Sequence, residues 1–413
     1  MEYTHEYEAA IRLLLDRACP IGAENVPLEL SAERALAEDF HAREDVPSFE
    51  RSPYDGYALR SADSKDAGAE HPIVLQVIEE IPAGRTPSLK LREGTAAKVM
   101  TGAMLPEGAD CVVMFEKTDE SVRGAVQLFA PLLPGENVVR IGEDVSKGEI
   151  LAKAGTIIDP GLAGSLAAQG VTKPLVYKIP RAGLISTGSE VVPAEGEVPP
   201  GKIRNSNRYS LTAALRSDGC DVRWFGVAED KTESIAELIA CALEGCDIVF
   251  LTGGVSVGDY DLTGEAMEAA GVEVLVHGVG IKPGMACCYG VKKQNPGQKL
   301  VIALSGNPAS ALTNYYGIVR PSVKKLRGLT YSADIFNRGL FDVRLAEAFH
   351  KKSRATRFLR GQLVIREGQA VMELSQDQGN IVLSSTIGAN MMAIVPAGSA
   401  PLKAGTVLKG FLL

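Results

Sequence analysis

The stretch Leu251 to Asp261, LTGGVSVGDYD, sets three glycines, two hydroxyl residues and two aspartates directly behind the apolar run Ile248-Val249-Phe250-Leu251. An apolar run that ends in glycines and precedes a helical pattern reads as a buried strand turning into a helix. The glycines let backbone N–H groups converge on an anion, because no side chain blocks the approach and positive φ is allowed. Asp259 and Asp261 close the loop, and carboxylates there could hold a hard cation such as Mg2+ against that anion. Alone, the loop reads more readily as a plain strand-to-helix turn, so its meaning depends on its companions.

Outward from the loop, strands alternate with helices from Arg181 to about Gly328. Ala182–Ile185, Val222–Val227, 247–251, 272–276 and 299–304 have strand character, and 210–215, 263–270 and 308–319 read as helices. Ile235, Leu238, Ile239 and Ala242 share one helix face behind Thr232, a candidate N-cap. This pattern predicts a three-layer α/β/α domain, a parallel-rich sheet with helices on both faces. Ligands of such sheets sit beyond the carboxyl ends of the strands, where the loops 186–190, 226–231, 252–261 and 305–308 lie.

The flanks differ in texture. Tyr7, Ala10, Ile11, Leu14, Leu15 and Ala18 fall on one helix face, stopped by Pro20 and Gly22. Residues 26–144 form a β-rich block with strands near 73–78, 97–100 and 111–115. A short helix near 163–168 is expected to pair with the N-terminal helix, which makes the β-rich block an insertion. Strand character returns at 363–365, 371–374, 381–383 and 392–395, as in a small barrel or sandwich. The expected division is 1–25 with 145–180 as an elongated linker or dimerisation domain, then 26–144, 181–328 and 329–413, an α/β multidomain chain.

With 413 residues, 46% apolar and 23% charged, the composition is that of a globular protein. A net charge of -8 argues against a nucleic-acid partner, so an anionic substrate needs a local positive site. The seven cysteines are scattered without a C-x-x-C, which fits a reduced cytoplasmic protein. The charged, helix-periodic start does not read as a signal peptide, and no apolar run approaches the roughly 18 residues of a membrane span.

The strand-end loops supply one chemical set. Ser186-Thr187-Gly188-Ser189-Glu190 brings hydroxyls and a carboxylate, and Asp230 follows the strand at 222–227. Asn307, as N-cap, and Pro308 open a helix whose start offers free N–H groups and a positive dipole end. Lys282 adds a positive charge. Acids, a lysine and backbone donors converging on one sheet edge favour phosphate-plus-metal chemistry.

The loop 251–261 also resembles the signature of the molybdopterin molybdenumtransferases, the MoeA family. So do Ser52-Pro-Tyr-Asp-Gly-Tyr-Ala-Leu-Arg60, Met100-Thr-Gly-Ala103, Arg140-Ile-Gly-Glu-Asp144, Ser186–Glu190 and Gly306-Asn-Pro308, in the family's order. The resemblance implies a molybdenum insertase that cleaves adenylylated molybdopterin with a divalent cation, Mg2+, inserts molybdate at the dithiolene and releases AMP. It implies that Asp230, Asp261 and Glu190 hold the cation. Gly253, Gly254, Ser256, Gly306, Asn307, Ser384 and Ser385 would bind the substrate, and Lys282 would offset oxyanion charge. It further implies a homodimer in which Asp55, Thr101 and Asp144 act across the subunit interface, and a molybdopterin adenylyltransferase as partner.

Four positions depart from the family. Gly278 stands where many members have lysine, KPGKP becomes Lys282-Pro283-Gly284-Met285-Ala286, and Ser305 replaces the proline of PGNP. Each lysine lost beside a multiply charged anion removes on the order of 1–3 kcal/mol for a partly buried pair. The basic stretch Lys351–Arg357 either compensates or, the reading favoured by sequence alone, is a solvated strand edge. A catalytically weakened pterin-binding or scaffold protein of the same fold is therefore the alternative. Cys287-Cys288 reads as buried strand.

Overall fold

The computed structural model describes residues 4–255, 262–294, 297–329 and 339–413. The chain divides into two compact units, Asp39–Lys153 with Ala168–Gly170, and Met1–Glu38 with Ala154–Ala167 and Val171–Leu413.

The larger unit is built on a six-stranded sheet in the order Asp221–Ala228, Arg181–Thr187, Ile248–Thr252, Gln298–Leu304, Cys287–Lys293, Glu273–His277. The first four strands are parallel. The strand Cys287–Lys293 runs antiparallel to both its neighbours, so the parallel expectation gives way at that strand, while Glu273–His277 at the edge runs in the direction of the first four. Parallel strands covered on both faces carry continuous apolar runs rather than alternation, and Ile248 to Leu251 are fully buried. Leu184, Phe250 and Ile302 point to a core shared with Ile11 and Leu14 of the helix Tyr7–Arg17 and Leu211 of the helix Ser206–Ser217. Ile185, Val249, Leu251 and Val301 point to the opposite core, with Ile235 and Ile239 of the helix Thr232–Gly245.

Three local expectations need correction. The N-terminal helix does not pair with the helix Pro160–Ala168: its apolar face joins Ile318, Val319 and Val323 in the sheet core. Residues 1–25 meet 145–180 through the antiparallel ladder Ala23–Asn25 with Leu175–Tyr177 instead. Thr232 is the first helical residue rather than the cap; Lys231 holds the cap position, without a side-chain cap bond. Residues 381–383 are not a strand: Ile381 is 67% exposed, and Leu383–Thr386 forms a short 3-10 turn.

The C-terminal strands Phe341–Leu345, Thr356–Arg366, Gln369–Leu374, Met391–Val395 and Val407–Leu412 close on themselves as a five-stranded barrel. Closure removes free strand edges. The two-residue strand Ile281–Lys282, from the α/β domain, pairs in parallel with Thr356 and Arg357.

The smaller unit has a six-stranded sheet, Cys111–Met114, Gly56–Leu59, Thr95–Val99, Ile73–Ile81, Ala125–Leu128, Thr118–Asp119, with a core on each face. Gly56 is dictated by close approach, since a Cβ there would lie 2.0 Å from the Val113 carbonyl oxygen. Among the described residues no helix is long and apolar enough to cross a membrane.

Phe250→Ala should lower the unfolding free energy of the larger unit by about 3–5 kcal/mol, because it opens a cavity in the central strand. The shift in urea midpoint measures it, and a change below about 1 kcal/mol would contradict this packing.

Candidate functional site

The register of the parallel strands aligns their carboxyl ends: Ser186 lies opposite Val227 and Thr252, and Thr252 opposite Leu304. At this level the runs turn polar. Ser186 Oγ lies 3.2 Å from Thr252 Oγ1 and accepts from Asn205 Nδ2 at 3.0 Å, all three residues buried. Asn205 Oδ1 in turn accepts from the Arg208 N–H, capping the helix Ser206–Ser217. A satisfied buried network of this kind fixes loop positions. Asn205 and Asn207 escaped the sequence analysis, although an asparagine directly ahead of a helical pattern, a helix N-cap signal, could have found Asn205. Asn207 Nδ2 donates to the Gly306 carbonyl at 2.8 Å, and its Oδ1 is buried without a partner.

The loops above this network bring several expected residues together. The Ser189 N–H donates to Asp230 Oδ2 at 2.8 Å, which ties the Asp230 loop to the one carrying Glu190. Both carboxylates are exposed, and the Glu190 carboxylate lies against the Cα face of Gly188. Gly253 and Gly254 both adopt positive φ, +96° and +65°. The Gly253 N–H is engaged with the Leu304 carbonyl, so it does not face an anion. What Gly253 contributes is space: a Cβ there would lie 2.5 Å from the Thr187 carbonyl oxygen. The Gly306 Cβ direction points at the Gly253 Cα, 3.5 Å away, so the two loops touch. Asn307 holds the N-cap position, yet its side chain makes no cap bond. Ser256, Asp259 and Asp261 lie outside the described residues.

A cavity of about 410 Å³ continues this row of loops, a size typical of small-molecule sites. Lys282, Ser305, Asn307 and Ser310 form its α/β side, and Lys351, Arg357 and the segment Gln378–Asn380 its barrel side. Lys282 and Arg357 are directly paired residues of the parallel ladder. The basic stretch is thus not a solvated strand edge: its first and last cations, Lys351 and Arg357, line the cavity of Lys282. The Arg357 Nε is buried with no hydrogen-bond partner among the described residues, its guanidinium rests 5.4 Å from the Phe349 ring, and burial lowers its pKa. No carboxylate is among the described lining residues.

A second cavity, about 520 Å³, opens on the barrel and is lined in part by Ser384, Ser385, Asp377 and Gln362. Ser385 is buried and its Oγ accepts from Arg360 Nε and Nη2 at 3.2 and 3.0 Å, while Ser384 is exposed. Arg360 is fully buried, and its Nη1 has no partner. Nothing in its strand-like surroundings marked it, because burial of an arginine follows from barrel closure.

In the smaller unit Asp55 and Thr101 meet. Asp55 Oδ1 accepts from the Thr101 N–H at 2.6 Å and from Thr101 Oγ1 at 2.8 Å. The amide bond first, and the hydroxyl second, hold the Asp55 pKa below its ordinary value. Asp144 is exposed at the end of the Arg140–Asp144 loop, with its N–H bonded to the Val46 carbonyl.

Family patterns run along most of the chain. Residues 5–170 match the MoeA N-terminal region (domain I and II), 183–325 the family described as "Probable molybdopterin binding domain", and 342–412 the MoeA C-terminal region (domain IV). The chain belongs to the MoeA family. It is 34% identical over 396 residues to the molybdopterin molybdenumtransferase of Staphylococcus aureus strain MRSA252, covering 96% of this chain and 92% of that protein. The namesake of Staphylococcus epidermidis strain ATCC 12228 is also 34% identical, over 97% of this chain and 93% of its own length. A molybdopterin biosynthesis MoeA protein from Pyrococcus horikoshii superimposes with a TM-score of 0.83 at 33% identity, covering 98% of each chain. Within this MoeA-family chain, Met285 and Ser305 line the cationic cavity at two of the departing positions.

The Asp55–Thr101 geometry can be read by titration. Thr101→Val removes the hydroxyl donor and leaves the amide, so the Asp55 pKa should rise part of the way to its ordinary value. Because the native pKa is depressed, the bonds stabilise the fold above the ordinary carboxylate range and cease to do so as pH falls through the lowered value. A carboxyl NMR titration in which the variant matches wild type would contradict the hydroxyl bond.

Proposed function

We propose that this MoeA-family chain is a molybdenum insertase of molybdenum-cofactor biosynthesis, a transferase acting on adenylylated molybdopterin and molybdate. Its domain plan is then the one expected from sequence, 1–25 with 145–180, 26–144, 181–328 and 329–413. The carrying observation is the buried Arg357 Nε, which has no hydrogen-bond partner among the described residues, in a cavity that also receives Lys282 and Lys351 and, among the described residues, no carboxylate. Cations brought together repel one another, and the partly buried Arg357 also loses hydration while Lys282 and Lys351 stay exposed; a tetrahedral dianion offsets both costs. Molybdate is such a dianion.

The row of loops supports an elongated substrate. From the cavity it runs through Ser305–Asn307 to Gly253 and on to the loops of Glu190 and Asp230. The phosphoanhydride would lie over Gly253 and Gly254, where absent side chains allow close approach. Asp230 and Glu190 offer hard oxygen ligands on loops joined by one hydrogen bond. That donor set fits Mg2+, which commonly takes one or two carboxylates and completes its shell with water and phosphate oxygens. Among the described residues no cluster of three acids, histidines or cysteines forms a metal site. The cation would neutralise charge on the phosphoanhydride when bound. The chain's own contribution is to orient the phosphate-bearing end and hold the oxyanion at the cationic end.

The same reading assigns Asp55, Thr101 and Asp144 to a site completed by a second copy of the chain. The motive for a non-catalytic scaffold was lost positive charge at Gly278 and Met285, and Lys351 and Arg357 supply charge from another element.

The purified chain with adenylylated molybdopterin, Mg2+ and molybdate should release AMP in a molybdate-dependent way. Arg357→Ala should raise the KM for molybdate by about tenfold or more, the effect expected when a charged hydrogen bond is removed. Asp230→Asn should lower turnover and raise the Mg2+ concentration needed for half-maximal rate. Substrate binding without molybdate-dependent AMP release would refute the insertase reading.

A further inference from the structure

We propose that Asn314, oriented by Tyr289, is a positioning residue that sets the turn Lys282–Met285 at the cationic cavity. The inference rests on the oxyanion role proposed for that cavity and deepens it.

The turn forms one wall of the cavity, and the loop Ser305–Asn307 forms another. Asn314 ends the helix Pro308–Asn314 that begins immediately after this loop. Its side chain is fully buried, and its Nδ2 donates to the Gly284 carbonyl at 3.0 Å. Its Oδ1 accepts from the Tyr289 hydroxyl at 2.5 Å, Tyr289 being fully buried in the strand Cys287–Lys293. An amide has a donor end and an acceptor end. The phenol engages the acceptor end, which directs the donor end at Gly284. A third buried group acts on the next peptide: the Cys287 thiol, pushed up to about 11 by burial, donates to the Met285 carbonyl at 3.6 Å.

The turn also presses on the helix. Gly284 has φ +106°, and a Cβ there would lie 3.1 Å from the Ser310 carbonyl oxygen. One short helix therefore starts at one lining loop of the cavity and anchors another. Two polar side chains sit in a core where apolar packing would serve stability as well. Their hydrogen bonds end on the peptide two residues beyond Lys282, which explains their placement as control of the cation's position.

The test compares the full-length wild-type chain with Asn314→Asp and Tyr289→Phe. Asn314→Asp keeps the acceptor and removes the donor to Gly284; Tyr289→Phe removes one hydroxyl and serves if the first variant fails to fold. Three readouts are taken: molybdate affinity by calorimetry, KM and kcat for molybdate-dependent AMP release, and amide hydrogen exchange at residues 284–286 without ligand. Asn314→Asp should raise the molybdate Kd and KM by about tenfold and change kcat at saturating molybdate less than about twofold, the scale of one buried hydrogen bond broken with its partner left unpaired. Exchange in the turn should accelerate. Tyr289→Phe should move all three the same way by about threefold. Unchanged Kd, KM and exchange, with only the melting temperature lowered, would overturn the inference. A wild-type chain that binds no molybdate would instead overturn the proposed function, and unaccelerated exchange in Asn314→Asp would still overturn the anchoring.

Discussion

Parallel pairing of the central strand Ile248–Thr252 with its two neighbours is the constraint on which the molecule depends. Because the three strands run the same way and in register, their carboxyl ends finish at one level. Four loops from distant parts of the sequence therefore share one edge, and the buried Ser186–Asn205–Thr252 network beneath them resists their displacement. Helices on both faces make that level dry below and open above. Hydrogen bonds under the edge are strengthened by the low dielectric, while the loops stay accessible to a solute.

A second constraint joins the α/β domain to the barrel within the larger unit. The short strand Ile281–Lys282 belongs in sequence to the α/β domain but pairs with Thr356 and Arg357 of the barrel. That ladder puts a lysine and an arginine side by side on one face, an arrangement costly in the absence of an anion. Cations carried by one short segment would stay together whatever the barrel does. This chain divides them between two, so its cavity depends on the barrel being docked and closed. Arg360 shows the same dependence, since its burial beside Ser385 exists only when the barrel strands meet.

Much of this was legible in the residues. Strands buried on both faces have no period to hide in, so Ile248–Leu251 and 299–304 announced themselves by composition, and the glycines that follow marked the turns. The loops 186–190, 226–231 and 305–308 and the described start of 252–261 stand at the sheet edge as expected, and Asp55 meets Thr101 by two hydrogen bonds. Less legible were features with no local cost. The strand Cys287–Lys293 is buried over five residues, as is its antiparallel neighbour Gln298–Leu304, and apolar composition carries no information on strand direction. The run 381–383 is apolar, yet Ile381 is exposed and Leu383 begins a 3-10 turn, because the ring of five barrel strands closes without it.

The sequence by itself determined the fold class, the family and the acids and glycines of the loop edge, because these rest on local chemistry and on motifs carried in order. It also supplied the opening loop, 251–261, whose glycines at 253 and 254 take the positive φ that their type allows. Only the tertiary structure decided what the basic stretch Lys351–Arg357 does, that the Gly253 amide is already engaged, and that Asn314 reaches Gly284. The physical reason is range. Backbone freedom and apolar periodicity act over a few residues, whereas charge, desolvation and buried hydrogen bonds depend on partners that folding brings from 30 to 75 positions away, as with Asn314 and Gly284 or Lys282 and Arg357.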